Sequence, residues 1–406
     1  MPESKYAMVE PEYALETVLS HTAVLDTETL PLVEARGRVL ARDLFADADL
    51  PPFPSSAVDG YAVIASDQSP TRRVLAEVTA GSAGEVAVTP GTAVRTMTGA
   101  PVAPGADAVV MVEHVQERGS EIALTRPVRP GENVNRAGQD VQSGQLVLPR
   151  GSILGAPEVG LLAALGQRAV EIFRRPRVAV LSTGDELVEP WEEAGPAKIR
   201  DSNRYALMAA VEAAGGIPVS LGMAKDVRSE QQERIRRGLE EADVVITSGG
   251  VSMGVRDLVK GILEEMGTVH FGRVSIKPGK PFTFGTVGRK LVFGLPGFPV
   301  SSLVTFELFV RPALLKMQGC RNVTRPRVEA ILDHDVNPAA DRSEYQRAVV
   351  RWEDGRLEAS TTGLQSSGRL LSMTGANALL VFAPGEKRLA GESVTAILTG
   401  PLVSPS

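Results

Sequence analysis

The feature that most constrains the fold is a regular alternation of strand and helix signals between residues 177 and 315. "RVAVLS" is an apolar, β-branched run of the buried-strand type. "SNRYALMAAVEAAGG" then reads as a helix closed at Gly215 or Gly216, because glycine takes the left-handed conformation of a C-terminal cap without strain. "IPVSLG", "SEQQERIRRGLEEA", "DVVITS" and "VRDLVKGILEEMG" repeat the cycle, with Ser229 and Gln232 at capping-box spacing. Strands alternating with helices of this length join through βαβ crossovers, which predicts a doubly wound, mostly parallel sheet. Ligands of such sheets bind beyond the carboxyl ends of the strands.

The flanking segments have other textures. Up to residue 44 the pattern is helical, and "PEYALETVLS" places Tyr13, Ala14, Val18 and Leu19 on one face. Residues 45–149 are short β-rich pieces punctuated by glycine and proline, which predicts a small β-rich domain. A second helix, "APEVGLLAALG" at 156–166, carries an apolar surface that predicts pairing with the first. Beyond residue 325, "YQRAVVRWEDGRLEAS" reads as a hairpin turning at Asp354-Gly355, within a second small β domain. A chain of 406 residues exceeds one ordinary core. The expected division is a discontinuous helical domain (1–44 with 150–176), a β-rich insertion (45–149), an α/β domain (177–320) and a C-terminal β domain (325–406).

Composition narrows the chemistry. A formal net charge of −6 excludes a dominant basic face, so nucleic acid is not an expected partner. One cysteine, Cys320, and four scattered histidines (His21, His114, His270, His334) leave no disulfide framework and no thiolate zinc site within the chain. A metal would be held by oxygen, which points to magnesium. The opening "MPESKYAMVEPEYALETVL" lacks the positive end and apolar run of a signal peptide, and the apolar stretch 291–310 is broken by Pro296, Gly297, Pro299 and Glu307. The expectation is a cytoplasmic protein with no membrane partner.

The predicted strand ends are chemically loaded. "RVAVLS" runs into "TGDEL", so Ser182, Thr183, Gly184 and Asp185 are candidate binding residues. "DVVITS" runs into "GGVSMGVRD", where Ser248, Gly249, Gly250 and Ser252 read as a phosphate cradle of bare backbone. "KPGKP" offers Lys277 and Lys280 as point charges, and "GLPGFPVSS" offers Pro296, Gly297 and Pro299. Asp185, Glu186 and Asp257 would repel an anion unless a hydrated magnesium ion bridged them to phosphate oxygens. Taken singly, each loop has a plainer reading as a turn, a surface loop or a helix cap. Together at one rim, acids, lysines and glycines answer no folding requirement, and binding is the better reading. Asp59-Gly60 in "LPPFPSSAVDGYAV" reads on its own as a turn. The histidines, methionines and Cys320 read as structural.

In order along the chain, "SSAVDGYA", "TGAPVAPGADAVV", "GENVNRAGQD", "STGDEL", "IRDSN", "SGGVSMGVRD", "KPGKP" and "GLPGFPVSS" resemble the molybdopterin molybdenumtransferase family, bacterial MoeA and the related C-terminal domain of gephyrin. The resemblance implies an elongated four-domain fold with a molybdopterin-binding α/β domain and a C-terminal β-barrel. It implies a homodimer with its site at the subunit junction. The implied reaction inserts molybdate into the dithiolene of adenylylated molybdopterin with loss of AMP, assisted by magnesium. Carried over by motif, Asp59, Thr98 and Asp140 are functional positions of the N-terminal domains; Glu186, Asp226 and Asp257 are acids of the α/β domain, with Glu186 and Asp257 holding the metal; Lys277 and Lys280 neutralise phosphate or molybdate. Transient contacts with the molybdopterin adenylyltransferase and with acceptor molybdoenzymes follow from the same reading. The chain departs from the family at Ser55-Ser56-Ala57-Val58, at Gln139, and at Phe298, where asparagine is common. Two rivals have different signatures. An interaction scaffold of the gephyrin kind is expected to carry a further adenylylating domain and a long linker, which this sequence lacks. A nucleotide pyrophosphatase on the same α/β domain would not need the acids of "DGYA" and "GQD".

Overall fold

The computed structural model describes residues 6–82, 85–250 and 258–403. It divides into two compact units, one formed by Met1–Glu28, Gly37–Ala41 and Ile172–Ser406, the other by Thr29–Arg36 and Arg42–Glu171.

The larger unit contains a six-stranded sheet in the order Ile217–Ala224, Arg177–Thr183, Val244–Ser248, Lys290–Leu295, Thr283–Val287 and Thr268–Phe271. The first four strands run parallel, and the last two are added antiparallel. Side chains alternate across a strand, and here both faces are apolar. Val178, Val180, Val244 and Ile246 meet Leu207 and Val211 of the Asn203–Ala213 helix and Val300 and Val304 of the Pro299–Thr305 helix. Ala179, Leu181 and Val245 face the other way, onto Ile235 and Leu239 of the Arg228–Glu241 helix and Val259, Ile262 and Leu263 of the Leu258–Met266 helix. The sheet is therefore doubly wound, as its alternation predicts. The chain leaves Arg177–Thr183 to form Ile217–Ala224 on one side, then crosses to place Val244–Ser248 on the other. The carboxyl ends of Arg177–Thr183 and Val244–Ser248 are thus the topological switch point.

Details of the helices differ from expectation in instructive ways. Gly215, at φ 81°, follows the C-cap of Asn203–Ala213, and the Gly216 N–H bonds back to Val211 at 2.9 Å, as predicted. The Ser229–Gln232 capping box does not form, because the helix begins earlier, at Arg228 with Val227 as its N-cap. The first helix, Pro11–Ser20, buries Ala14 and Val18 in the α/β core, beside the Arg311–Met317 helix. Its apolar face is thus spent within the α/β core. Tyr13 is 57% exposed, since it lies off the stripe that Pro11, Ala14 and Val18 define.

The same unit ends in a closed five-strand barrel. Ser343–Glu353, Arg356–Thr361, Arg327–Leu332, Ser393–Leu398 and Ala378–Phe382 pair in that order, and Ala378–Phe382 returns to Ser343–Glu353. Asp354 (φ 46°) and Gly355 (φ 78°) make the predicted two-residue hairpin turn, with Glu353 opposite Arg356. The short strand Ile276–Lys277 adds to Ser343–Glu344 in parallel.

The smaller unit is built on a six-stranded sheet in the order Ala108–Met111, Gly60–Val63, Thr92–Thr96, Arg72–Val78, Glu121–Leu124 and Val115–Arg118. Apolar clusters cover both of its faces: Tyr61, Val63 and Val110 in one, Ala62, Val94 and Val109 in the other. Its helix Ala156–Ala164 contacts the short helical turn Leu32–Glu34. Among the described residues, no helix is long and apolar enough to cross a membrane.

Candidate functional site

A cleft of about 840 Å³ opens at the switch point of the α/β sheet. Its floor is made by the loops that leave neighbouring parallel strands: Ser182, Thr183 and Gly184; Ser248, Gly249 and Gly250; and Pro296, Gly297, Phe298 and Pro299. The strand register brings them together, pairing Ser182 with Ser248 and Ser248 with Leu295. Glu186, Leu187, Ile199, Arg200, Asp201, Ser202, Asn203, Asp226, Pro281 and Gly368 complete the lining.

The loops meet too closely for side chains at particular points. Gly249 has φ 92°, and a Cβ there would stand 2.5 Å from the Thr183 carbonyl oxygen. Gly250, at φ 66°, would bring a Cβ to 3.0 Å from Thr183 Oγ1. These contacts change the expected role of the glycines. The Gly249 N–H donates to the Leu295 carbonyl at 3.1 Å, and the Gly184 N–H to the Ala224 carbonyl at 3.1 Å. Both donors serve strand ends rather than an anion. Gly249 is required for close approach of backbone to backbone, and neither its N–H nor that of Gly184 is a free donor.

Polar side chains tie the floor together. Asn203, at the start of its helix, donates through Nδ2 to Ser248 Oγ at 2.8 Å and to the Gly297 carbonyl at 2.7 Å. Its Oδ1 is buried without a hydrogen-bond partner among the described residues. Ser302 Oγ donates to the Pro296 carbonyl. Asp201 is 2% exposed; it accepts from Ser182 Oγ at 2.9 Å and from Arg204 Nε at 3.0 Å. Arg204 also reaches Glu189 at 2.5 Å. Asp201 is therefore a structural carboxylate, neutralised from behind the cleft.

Of the candidate binding residues, Ser182, Thr183, Gly184, Ser248, Gly249, Gly250, Pro296, Gly297 and Pro299 all line the cleft, and so do the acids Glu186 and Asp226. Asp185 is turned to internal use, its carboxylate accepting the Asp226 N–H at 3.2 Å and its carbonyl accepting from Lys198. Ser252 and Asp257 lie outside the described residues. The "KPGKP" loop reaches the lining through Pro281, not through Lys277 or Lys280. Lys277 sits opposite Glu344 in the barrel, its Nζ 3.3 Å from a carboxylate that is 3% exposed. Among the described residues, the cation that lines the cleft is Arg200, held by parallel pairing of Leu187–Val188 with Ile199–Arg200. Asn203, Asp201 and Arg200 had no predicted role. Their signal was the "IRDSN" stretch itself, where an acid, an amide and a cation crowd a predicted helix start.

In the smaller unit, Asp59 Oδ1 accepts from both the N–H (2.7 Å) and the hydroxyl (2.8 Å) of Thr98. Those bonds, the backbone one first, hold the exposed Asp59 carboxyl below its ordinary range, with a small contribution from Arg95. Asp59-Gly60 is not a turn. Gly60 opens a central strand, and a Cβ there would lie 2.0 Å from the Val110 carbonyl oxygen, so the glycine is a packing requirement. Asp140 is exposed on a loop whose backbone bonds to Leu50 at 2.9 Å and, through Gly138, to Pro51 at 3.0 Å. "GENVNRAGQD" and the proline-rich stretch thus form one local structure, with Val134–Asn135 paired to Ser55–Ser56.

Comparison with known proteins places the chain in a family. The MoeA N-terminal region (domain I and II) matches residues 9–166, a probable molybdopterin binding domain matches 179–316, and the MoeA C-terminal region (domain IV) matches 329–399. The molybdopterin molybdenumtransferase of Haemophilus influenzae is 38% identical over 376 residues, spanning 91% of this chain and 93% of its own length. Gephyrin of Dictyostelium discoideum is 34% identical over 98% of this chain and 63% of its own length. A crystal structure of the molybdopterin biosynthesis MoeA protein from Pyrococcus horikoshii superposes with a TM-score of 0.85 at 35% identity, covering 97% of this chain and all of that one. The chain belongs to the molybdopterin molybdenumtransferase (MoeA) family.

Proposed function

We propose that this enzyme inserts molybdate into adenylylated molybdopterin with release of AMP, in molybdenum cofactor biosynthesis, and that it depends on magnesium. The observation that carries the reading is the cleft at the switch point, lined among the described residues by tightly approaching glycine loops, the exposed Arg200 guanidinium, and the carboxylates of Glu186 and Asp226 beside the already neutralised Asp201. A phosphoanhydride suits it. Arg200 supplies a charge-assisted donor for phosphate oxygens, and the floor loops, tied by Asn203, present a rigid concave surface. The substrate's dithiolene supplies its own thiolates, consistent with a single cysteine in the chain.

The donor chemistry fits magnesium. Among the described residues no cluster of three or more ligating side chains forms, so an all-protein cage is not the expected arrangement. Magnesium is ordinarily bound by one or two carboxylates, with waters and substrate phosphates completing the octahedron, and Glu186 and Asp226 both face the cleft. They would hold it together with Asp257. When bound, the ion would offset charge on the phosphate oxygens. Lys280 and Lys277 are assigned to the oxyanion, Lys277 while paired to Glu344. Asp59, fixed by Thr98, and Asp140 are assigned to ordering molybdate or water in a homodimer. Delivery of substrate by the adenylyltransferase and handover to acceptor molybdoenzymes belong to the same proposal.

The test is reconstitution. The purified chain receives adenylylated molybdopterin, magnesium and graded molybdate, while AMP release and activation of a cofactor-free molybdoenzyme are followed together. Both should rise with molybdate and collapse in Asp59→Asn. AMP release without enzyme activation, unaffected by Asp59→Asn, would replace this reading with a pyrophosphatase.

A further inference from the structure

The cleft carries an aromatic side chain that folding does not explain. Phe298 is 63% exposed, whereas the neighbouring phenyl rings of the α/β domain, Phe271, Phe282, Phe284, Phe293, Phe306 and Phe309, are almost completely buried; Phe45 and Phe53, both exposed, belong to the proline- and glycine-punctuated segment before it. An exposed phenyl gains nothing in the free fold, since the hydrophobic gain comes from removing apolar area from water. Yet its position is closely determined. Its backbone is the N-cap of the Pro299–Thr305 helix, and its carbonyl accepts the Ser302 N–H at 3.0 Å. The preceding Gly297 carbonyl is pinned by Asn203. One side of the ring is backed by Gly368, where an added Cβ would lie 3.7 Å from Cδ1.

That backing is itself anchored. The Val300 N–H donates to the Ser367 carbonyl at 3.1 Å, joining the helix to the loop. Beneath the loop lies Arg347, with no exposed surface; its guanidinium donates to the carbonyls of Leu364, Gln365 and Ser366 and to Ser372 Oγ. Burial pushes the Arg347 pKa down to about 10, which leaves it charged at neutral pH. Three prolines, Pro281, Pro296 and Pro299, line the same cleft. The result is an exposed phenyl platform, backed on one side by an anchored loop, in the same cleft as Arg200.

We infer that Phe298 stacks against a fused heteroaromatic ring of the substrate and so sets specificity for what is attached to the phosphates. The inference rests on the proposed function, whose substrate carries a purine at one end of its phosphoanhydride and a pterin at the other. Stacking of a ring on an aromatic side chain is tolerant of ring identity and strong enough to discriminate ring from no ring.

The experiment titrates the full-length wild type, Phe298→Ala, Phe298→Asn and Phe298→Trp with AMP, 6-hydroxymethylpterin and ribose 5-phosphate. The side chain is mostly exposed, so the variants should fold, and thermal melting checks that they do. Phe298→Ala and Phe298→Asn should weaken AMP or the pterin roughly 5- to 100-fold, leave ribose 5-phosphate unchanged, and be rescued by Phe298→Trp. Loss with AMP assigns the platform to the purine, and loss with the pterin assigns it to the other end. Equal affinity of wild type and Phe298→Ala for every probe overturns the inference while leaving the transferase reading standing. Equal loss for all the probes, ribose 5-phosphate included, also overturns it, since the ring would then act on the fold of the cleft. If the wild type binds none of the probes, the proposed substrate fails and the stacking role fails with it.

Discussion

Two glycines in one cleft should respond to alanine very differently. At Gly249 a side chain meets two penalties. The backbone is at φ 92°, and left-handed geometry costs a residue with a Cβ about 1–2 kcal/mol. The new Cβ would also stand 2.5 Å from the Thr183 carbonyl oxygen, and Thr183 is a strand-end backbone atom that cannot rotate away. Forced shifts of this kind cost about 1–3 kcal/mol. Reduced freedom of the unfolded chain returns about 0.4–1 kcal/mol, leaving a net loss on the order of 2–4 kcal/mol. At roughly 2–4 °C per kcal/mol this lowers the melting temperature by about 5–15 °C. At Gly297 the nearest heavy atom to an added Cβ is the Gly249 Cα, at 3.7 Å, and the backbone is not in the left-handed region. Gly297→Ala should therefore melt within about 2 °C of wild type, corresponding to no more than ~0.5 kcal/mol. Calorimetry of the full chain measures both, and AMP release measures whether the displaced floor also loses kcat/KM in Gly249→Ala. A Gly249→Ala protein that melts with the wild type and keeps its activity would refute the claim that close backbone approach, not turn-making, requires this glycine.

The buried pair behind the cleft makes a stability prediction. Arg204→Ala leaves the Asp201 carboxylate, 1% exposed, without its guanidinium and should cost about 3–5 kcal/mol in a denaturant titration; Arg204→Lys should not rescue, because one ammonium cannot serve Asp201 and Glu189 at once. The smaller unit makes a pH prediction through Asp67. Burial pushes its carboxyl up, but the Gly91 N–H, the hydroxyl and N–H of Ser69, and Arg72 together hold it at about 2. A depressed folded-state pKa contributes stability that is complete above the unfolded value, near 3.8, and is lost as pH falls through about 2. The gap in denaturation midpoint between wild type and Asp67→Asn should be constant above about pH 5 and close between roughly pH 4 and 2. A gap that stays flat across that window would remove Asp67 from the acid response.

The α/β core was the most legible part of the chain because its signal is redundant. Val178, Val180, Val244 and Ile246 face one way and Ala179, Leu181 and Val245 the other, so a run of apolar residues with no alternation states that both faces are covered. Gly215 and the Asp354-Gly355 turn were equally readable, since each meets a local backbone demand. The Pro11–Ser20 helix was less so. Its apolar stripe says that Ala14 and Val18 are buried, but not that their partners lie near residue 310, because periodicity carries no address. The capping box failed for a related reason: Ser229 and Gln232 have the right spacing, but the helix registers from Val227.

At the site, position along a strand was readable and the direction of a hydrogen bond was not. The rule that ligands gather at strand ends located the cleft, and most of the candidate residues there do line it. What the rule could not supply is which polar group is already engaged. Gly249 looks like a free donor until Leu295 is placed beside it, and Lys277 looks like a free cation until the barrel sets Glu344 opposite. The converse holds for "IRDSN". Adjacent polar residues there divide between tasks: Asp201 anchors Arg204 and Ser182, Asn203 bridges the Ser248 and Gly297 loops, and Arg200 remains exposed in the cleft. Buried polar groups are held in place because an unmade bond is costly, and that cost depends on long-range neighbours that no local pattern encodes. Substitutions at Asp201 and Asn203 will therefore lower activity by loosening the floor, whereas Arg200→Gln should lower it with the melting temperature unchanged. That separation of activity from stability marks the residue that faces substrate within this stretch.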